Sequence, residues 1–488
     1  MAEFARALDQ QPRVTFGTDL FIGGEFVSGL GQPLNVEDPT TEERLTTLRQ
    51  ASPSQVDQAA VAARRAFESG CWADGDLRRR VLLRIADLME ERQQELGTTL
   101  VHEVATPVKV LEPTQIGGAV AVLRHHAAQA SADRTRHLAP VGAGSTSVQY
   151  VPVGVVAAIT AYNYPLFLMA AKIAPALAAG CTVIVLPSPF APLATLKMAE
   201  IFRDAGVPPG VVNILVGGVD IGTALSEHPE VDKVSFTGSV AVGSKVMQQA
   251  AKTIKGVVLE LGGKSAALLL PDADLARAAT PLNLRYSRNA GQGCSTTTRI
   301  LVHESRADEF IERSRAVLAT TRVGDPFDPE TDSGPVISAA HRARVEGYVE
   351  RAIASGGQIL AGGGRPDYAR GWFMNPTLVG GISNQAEIAR DELFAPVAVL
   401  LTYREIDEAV AMVNDSQFGL AGAVWGGTDR AIEVARRFRV GTVTVNGGAG
   451  GRRMDVPFGG MKQSGIGREW GEEGLYEFLE AQHLSVAG

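Results

Sequence analysis

Val234-Ser-Phe-Thr-Gly-Ser-Val-Ala-Val-Gly243 decides how this chain folds. Residues 231–236, with Val231, Val234 and Phe236, read as a strand ending at Phe236. Thr237, Gly238 and Ser239 then open a helix in which Val242, Val246, Ala250 and Ile254 share one face by i, i+4 spacing, and a further apolar run follows at 257–261. Strand, helix and strand within about 30 residues make a βαβ unit, and βαβ units build parallel sheets. The turn at 237–239 suits an anion, because small residues let a phosphate reach backbone N–H groups at a positive helix end. An ordinary tight connection has the same composition, and the Gly-x-Gly-x-x-Gly fingerprint is absent.

The same alternation extends in both directions. On the N-terminal side, 151–160 is a near-continuous run rich in Val and Ile, as in a strand covered on both faces, and shorter runs follow at 181–186 and 212–216. The first 130 residues read as mostly helical, with one stripe at Val56, Ala59, Ala60, Ala63 and Phe67 and another at Val81, Leu82, Ile85, Leu88 and Met89. Beyond Ser265, strands are expected at 265–270, 299–303, 397–403 and 442–446, and helices at 305–321, 339–355 and 429–438. Glycine-rich loops lie at 362–365 and 447–451. With no repeat at a solenoid period, the expected fold class is α/β, with two parallel-sheet domains in series.

Composition bounds the function. The chain has 488 residues, with 46 Lys+Arg against 54 Asp+Glu, a net charge of −8. An acidic chain without a Lys/Arg cluster is not expected to take nucleic acid as its main partner. No charge-free apolar run reaches the ~18–20 residues that span a bilayer; the richest, 151–186, is broken by Pro152, Pro165, Lys172 and Pro175. Residues 1–20 lack the apolar core of a signal peptide, so neither export nor membrane association is expected. Three cysteines, Cys71, Cys181 and Cys294, cannot all pair, which suits a reducing, cytoplasmic compartment. No metal-ligand spacing stands out.

Chemistry concentrates in three places. Cys294 ends Asn289-Ala-Gly-Gln-Gly-Cys294, where small neighbours leave the sulfur approachable and supply free backbone amides. Asn163, in Ala161-Tyr-Asn-Tyr-Pro165 after an apolar strand, is a side-chain donor for an oxyanion. Glu260, in Leu259-Glu-Leu-Gly-Gly-Lys-Ser265, ends another buried strand, where a raised pKa suits a general base. Taken singly, each is more often a core thiol, a capping amide or a paired acid.

Together, in order, with Phe236-Thr-Gly-Ser239, Glu392-Leu-Phe-Ala-Pro-Val397, Asn446 and Pro457-Phe-Gly-Gly-Met-Lys-Gln-Ser-Gly-Ile-Gly-Arg468, these motifs make the chain resemble the aldehyde dehydrogenase superfamily from about residue 51 to the C-terminus. The resemblance implies the family's fold: a dinucleotide-binding domain (1–129 and 153–262), a catalytic domain (263–462) and an oligomerisation arm (130–152 and 463–488). It implies NAD(P)-dependent oxidation of an aldehyde to an acid. Cys294 would be the nucleophile, Asn163 and the Cys294 N–H would hold the oxyanion, Glu260 would activate water, and Lys172 would support the site. Thr237, Gly238, Ser239, Gly243, Pro187, Ser188, Leu261, Glu392 and Phe394 would surround the cofactor. Tyr164, Leu168, Ala171, Leu284, Arg288, Gly293, Ser295 and Phe458 would line the substrate tunnel.

One departure bears on the cofactor. Many members carry Lys-Pro-x-Glu to hold the adenosine ribose, where this chain reads Leu186-Pro-Ser-Pro189. NAD⁺ is the expected cofactor, with NADP⁺ use left open. The small Ala171 and Gly293 imply a pocket for a medium or bulky aldehyde. Arg288 matches an arginine that meets the substrate carboxylate in semialdehyde enzymes, and Arg452 and Arg453 would assist an acidic group, so a semialdehyde dehydrogenase is the alternative. A CoA-acylating enzyme is disfavoured, because a thiol acceptor does not need Glu260. The segments 145–150 and 480–486 are expected to pair with strands of a neighbouring subunit, giving a homodimer or homotetramer.

Overall fold

In the computed structural model, which describes residues 15–140, 144–448 and 453–487, the strand Lys233–Thr237 sits inside an eight-stranded sheet. The sheet order is Glu25–Val27, Leu20–Ile22, Val212–Ile214, Thr182–Leu186, Val155–Ile159, Lys233–Thr237, Gly256–Glu260 and Gly465–Ile466. The five strands from Val212–Ile214 to Gly256–Glu260 are parallel, and the outer ones pair antiparallel. From Val155–Ile159 the chain steps first to one side of the sheet and then to the other. That reversal opens a crevice at the carboxyl ends of Val155–Ile159 and Lys233–Thr237, the place where open α/β sheets bind ligands.

A second, seven-stranded sheet follows, in the order Gln358–Gly362, Thr377–Gly380, Val397–Tyr403, Thr297–His303, Ser265–Leu269, Ala421–Trp425 and Thr442–Val445. All its pairings are parallel except the first. The α/β expectation therefore holds in both halves.

The strands 145–150 and 480–486 have a partner within the chain. Ser145–Pro152 pairs antiparallel with Leu479–Val486, and Arg136–His137 adds a third strand. The outer strand, Leu479–Val486, is mostly exposed.

Several elements depart from the sequence expectation. The run 151–160 is two strands, Ser145–Pro152 and Val155–Ile159, in different sheets. Pro152 supplies no N–H, and Gly154 (φ +122) packs against the Asp232 carboxylate, which also accepts the Val155 N–H at 2.7 Å. The stripe after Ser239 is shorter than its spacing suggests. The helix Val240–Ala250 buries Val246 and Ala250, whereas Ile254, at φ +57 beyond its end, is 92% exposed. The first 130 residues also contain four strands, Leu20–Ile22, Glu25–Val27, Pro33–Glu37 and Arg44–Arg49, three to six residues long and too short to interrupt a helical reading. Pro165–Ala179 is a helix buried on nearly every side, so it has no polar face to betray its period. No helix among the described residues is long and apolar enough to cross a membrane.

One buried carboxylate fixes the loop beside the crevice. The helix Leu193–Asp204 starts after Pro192 with no side-chain cap of its own. Glu103, fully buried on the helix Gln93–Val104, caps it from across the fold, accepting the Leu193 and Ala194 N–H groups at 2.7 and 2.9 Å. Burial pushes this carboxyl up to about 8, against the pull of the two N–H groups. Glu103→Ala would leave both donors buried and unpaired. The expected loss is about 2–4 kcal/mol of stability, read by chemical denaturation; an unchanged midpoint would contradict this capping role.

Candidate active site

The strand Gly256–Glu260 ends at Glu260, and residues 261–264 carry the chain directly into Ser265–Leu269 of the other sheet. This crossing is clamped. Leu261 N donates to Ser464 O (2.9 Å), Ser464 Oγ donates to Gly262 O (2.7 Å), and Gly263 N donates to Glu392 Oε1 (3.0 Å). Gly262 admits no side chain, because a Cβ there would collide with the Glu392 carboxylate. A Cβ on Gly263 would lie 2.6 Å from Cys294 O. The crossing thereby holds the strand-end acid, the cysteine and Glu392 against one another.

The cysteine sits on a strained turn. After the helix Leu275–Ser287, Asn289 and Ala290 take φ values of 49° and 50°, and Gly291 takes 70°. Left-handed backbone costs a non-glycine residue roughly 1–2 kcal/mol, so the surroundings must impose it. They do so chiefly through Gln292, which is fully buried. Its Oε1 accepts Tyr162 OH (3.1 Å) and Ile337 N (3.0 Å), and its Nε2 donates to Asn289 O (3.2 Å). Asn163 is locked to the same turn. Its Nδ2 donates to Gln292 O (2.9 Å), while its own carbonyl accepts Asn289 Nδ2 and Gln115 Nε2, both at 3.2 Å. Between the buried Gln292 and Thr296, only Gly293, Cys294 and Ser295 reach the surface.

The electrostatics resist charge. Burial, then the carboxylates of Glu260, Glu392 and Glu469, push the Cys294 thiol up to about 12. Glu260 is 3% exposed, and neither carboxyl oxygen has a hydrogen-bond partner among the described residues. Burial and Glu469 drive its pKa well above the carboxylate range, with Lys172 and Arg468 opposing. Gly459 gives Glu260 its room, since a Cβ there would lie 2.7 Å from Oε1. Alongside, Lys172 is fully buried, and its Nζ bonds Glu469 Oε1 at 2.6 Å and Ser235 Oγ at 3.2 Å. An unbonded, proton-hungry carboxyl beside a cysteine is equipped to take a proton from a thiol or a water.

The crevice fits a dinucleotide. The Thr160 and Thr237 hydroxyls, at the ends of adjacent strands, are buried without partners among the described residues. Ser239 caps the helix Val240–Ala250 at this end, and Gly238 N donates to Glu260 O (3.1 Å). Gly243 packs against the Leu261 side chain. Glu392 is held up to about 7 by burial, with Gly263 N and Lys264 opposing. Phe394, at φ +58, sets its ring edge-on to Tyr162 at 5.9 Å, and Tyr162 meets the exposed Phe190 at 5.9 Å. Pro187 is buried, and Ser188 Oγ accepts Phe190 N (3.3 Å).

The residues expected around a substrate are only partly brought together. Tyr164 lies over Gly293, its hydroxyl 3.9 Å from where a Cβ would project. Phe458 stacks on Trp470 at 4.5 Å, and Trp470 meets Phe167 edge-on at 5.5 Å. Leu168 is buried and Leu284 half-buried, but Ala171 is completely buried in the core, so its small size opens no surface. Arg288 is exposed at the end of its helix and makes no side-chain hydrogen bond or ion pair among the described residues. Arg285, one turn earlier, reaches the nucleophile's neighbour instead: its Nη2 donates to Ser295 O (3.1 Å) and Oγ (3.2 Å). Arg453 pairs with Asp455, and Arg452 lies outside the described residues. Gln292, Glu469, Arg285 and Trp470 were not singled out from the sequence. Glu469 and Trp470 directly follow the quoted Arg468, but nothing local marks their contacts.

Comparison with known proteins agrees with this geometry. Residues 26–484 match the model of the aldehyde dehydrogenase family. The chain is 40% identical over 472 residues to geranial dehydrogenase of Castellaniella defragrans, covering 95% of this chain and 98% of that one. It is 40% identical over 468 residues to 3-succinoylsemialdehyde-pyridine dehydrogenase of a Pseudomonas species, covering 95% and 97%. Among solved structures, aldehyde dehydrogenase C of Pseudomonas syringae, in complex with NAD⁺ and octanal, superposes with a TM-score of 0.93 at 37% identity, covering 97% and 98%. Betaine aldehyde dehydrogenase of Staphylococcus aureus, in complex with NAD⁺, gives 0.94 at 34% identity, covering 100% and 98%.

The raised thiol has a direct readout. In a Cys71→Ser background, which removes the exposed cysteine, alkylation of cofactor-free Cys294 by iodoacetamide should accelerate about tenfold per pH unit from pH 6 to 9. A plateau near pH 7, followed by mass spectrometry, would contradict the account of the thiol.

Proposed function

The chain belongs to the aldehyde dehydrogenase family, and we propose that it oxidises a medium-sized or bulky aldehyde to the acid with NAD⁺, using Cys294 as nucleophile. The observation that carries this reading is the unbonded, buried Glu260 carboxyl packed beside the Asn163-locked cysteine turn.

In the first step the Cys294 sulfur bonds to the aldehyde carbon and the carbonyl oxygen becomes an oxyanion. Asn163 Nδ2 spends one hydrogen on Gln292 O, leaving the other for that oxygen, together with the Cys294 N–H. Glu260 takes the thiol proton. NAD⁺, when bound, supplies the acceptor for the aldehyde hydride, leaving a thioester on Cys294. Glu260 passes the thiol proton to solvent and, as a carboxylate again, receives a proton from the water that attacks the thioester; it then returns that proton to the departing Cys294 sulfur as the acid is released. The Lys172–Glu469 pair keeps the surroundings of Glu260 polar without bonding it.

The cofactor would be held by Glu392 at the nicotinamide ribose, by Phe394 beside the ring, and by Thr237, Gly238, Ser239 and Gly243 at the pyrophosphate, with Leu261 packing near. Pro187 and Ser188 would flank the adenosine ribose. The absence of both a lysine and an acid in Leu186-Pro-Ser-Pro189 supports NAD⁺ with weak discrimination against NADP⁺. The tunnel would be lined by Tyr164, Leu284, Gly293, Ser295 and Phe458. A second reading, a semialdehyde substrate, is favoured by Arg285 on the last turn of Leu275–Ser287 and Arg288 just beyond it, neither paired with a carboxylate among the described residues.

The eight-, seven- and three-stranded sheets support a dinucleotide-binding domain of 1–129 and 153–262, a catalytic domain of 263–462 and an arm of 130–152 and 463–488, with Gly465–Ile466 reaching back to the first sheet. We infer a homo-oligomer, dimer or tetramer, acting in the cytoplasm. The exposed edge of Leu479–Val486 is the kind of edge that proteins cover.

The test is NADH formation from NAD⁺ and a panel including octanal, geranial and benzaldehyde, without CoA. Turnover is expected, and Cys294→Ser should abolish it. Glu260→Gln should lower steady-state turnover about 10²–10⁴-fold. NADH formed only when CoA is added would overturn the hydrolytic reading.

A further inference from the structure

The nucleophile's rim carries one guanidinium that the mechanism leaves idle. Arg285 lies on the last turn of Leu275–Ser287, and its Nη2 bridges the carbonyl and hydroxyl of Ser295, the residue after Cys294. Its Nε and Nη1 make no hydrogen bond among the described residues, and no carboxylate there pairs with it. The ionisable groups that act on it are Tyr164 and Cys294, both at the reaction centre. Other surface arginines are held by acids, Arg313 by Glu309, Arg365 by Glu346 and Arg453 by Asp455. A cation held at a cleft without a counter-ion is an anion site, because its fork matches a carboxylate in two parallel hydrogen bonds.

We propose that Arg285, rather than Arg288, is the specificity-determining residue that receives a carboxylate on the substrate, which favours the second, semialdehyde reading over an uncharged bulky aldehyde. This rests on the aldehyde-oxidising reading above. Three features of the structure select Arg285. Its bonds to Ser295 fix its guanidinium next to the half-buried Gly293, Cys294 and Ser295 floor, whereas Arg288 makes no hydrogen bond to that floor among the described residues. Tyr164, which overlies Gly293, faces the same guanidinium. Finally, three acids, Glu260, Glu392 and Glu469, crowd the thiol, so an anionic substrate needs a local cation to enter at all. Arg285 bonds Ser295, the residue next to Cys294, so a substrate spanning the sulfur and the guanidinium needs only a few carbons between its aldehyde and its carboxylate.

The experiment compares kcat/KM for succinic and glutaric semialdehydes with that for butanal and pentanal, in which a methyl replaces the carboxylate. The readout is the ratio within each pair, for wild type, Arg285→Met, Arg285→Lys and Arg288→Met. Wild type is expected to favour the semialdehydes. Arg285→Met should lower the ratio about tenfold or more, mainly through KM, with partial recovery in Arg285→Lys. Arg288→Met should move it less than about threefold. A merely structural role, pinning Ser295, would change both members of a pair alike and leave the ratio in place, which would overturn the proposal. So would a larger effect of Arg288→Met, or a wild type that prefers the neutral aldehydes. If no aldehyde yields NADH, the aldehyde-oxidising reading itself fails and this inference falls with it.

Discussion

Everything at the centre depends on how the chain crosses from one sheet to the other. Four residues, 261–264, leave the end of Gly256–Glu260 and enter Ser265–Leu269, and they are pinned from both sides by Ser464 and Glu392. Because two neighbouring glycines allow the chain to run flush against Glu392 and the Cys294 carbonyl, the carboxyl end of Gly256–Glu260 in one sheet meets the amino ends of Ser265–Leu269 and Thr297–His303 in the other. The acid comes from one sheet, the cysteine from a turn leading into the other, and the donor Asn163 from the loop after Val155–Ile159. None of these could be placed by its own element alone. The return of residues 464–466 to the edge strand closes the arrangement, since Gly465 pairs with Glu260 itself.

The same closeness makes the site electrically reluctant. Burial raises Cys294, Glu260 and Glu392 together, and each acid worsens the position of the thiol. A thiol that stays protonated in the resting protein is protected from oxidation, because the thiolate is the form that reacts. Activation then has to accompany ligand binding: a bound cationic nicotinamide would offset the three carboxylates, and Glu260 already lacks a hydrogen-bond partner that would compete for the proton. The Lys172–Glu469 pair belongs to this balance. Removing one member of a buried pair typically costs about 3–5 kcal/mol, because the other charge is left uncompensated.

Much of this was legible in the sequence. The βαβ alternation around Phe236 and both parallel sheets were readable from local pattern, whereas Cys294, Glu260 and Asn163, each ambiguous alone, stood out only through the family resemblance. What escaped was long-range or masked. The helix Pro165–Ala179 has no polar face, so its period is invisible, and the N-terminal hairpins are too short for alternation to register. The break at Pro152 and Gly154 depends on Asp232, far along the chain. Gln292 and Glu469 matter only through partners on other elements, and Arg285 differs from Arg288 only in the direction its side chain takes at the end of a helix. Ala171 shows the converse error: a small residue suggested space where packing left none.

The central claim is that the crossing brings Glu260 and Cys294 together so that one forms, and the other discharges, a covalent acyl intermediate. Intact-protein and peptide mass spectrometry of the Glu260→Gln protein, quenched after mixing with NAD⁺ and an aldehyde that the wild type turns over, tests this most directly. The account predicts an adduct on Cys294 alone, lighter than the aldehyde by two hydrogens, in step with the NADH released. An adduct on another residue, or NADH released by this variant at the wild-type rate with no acyl group retained on Cys294, would contradict it.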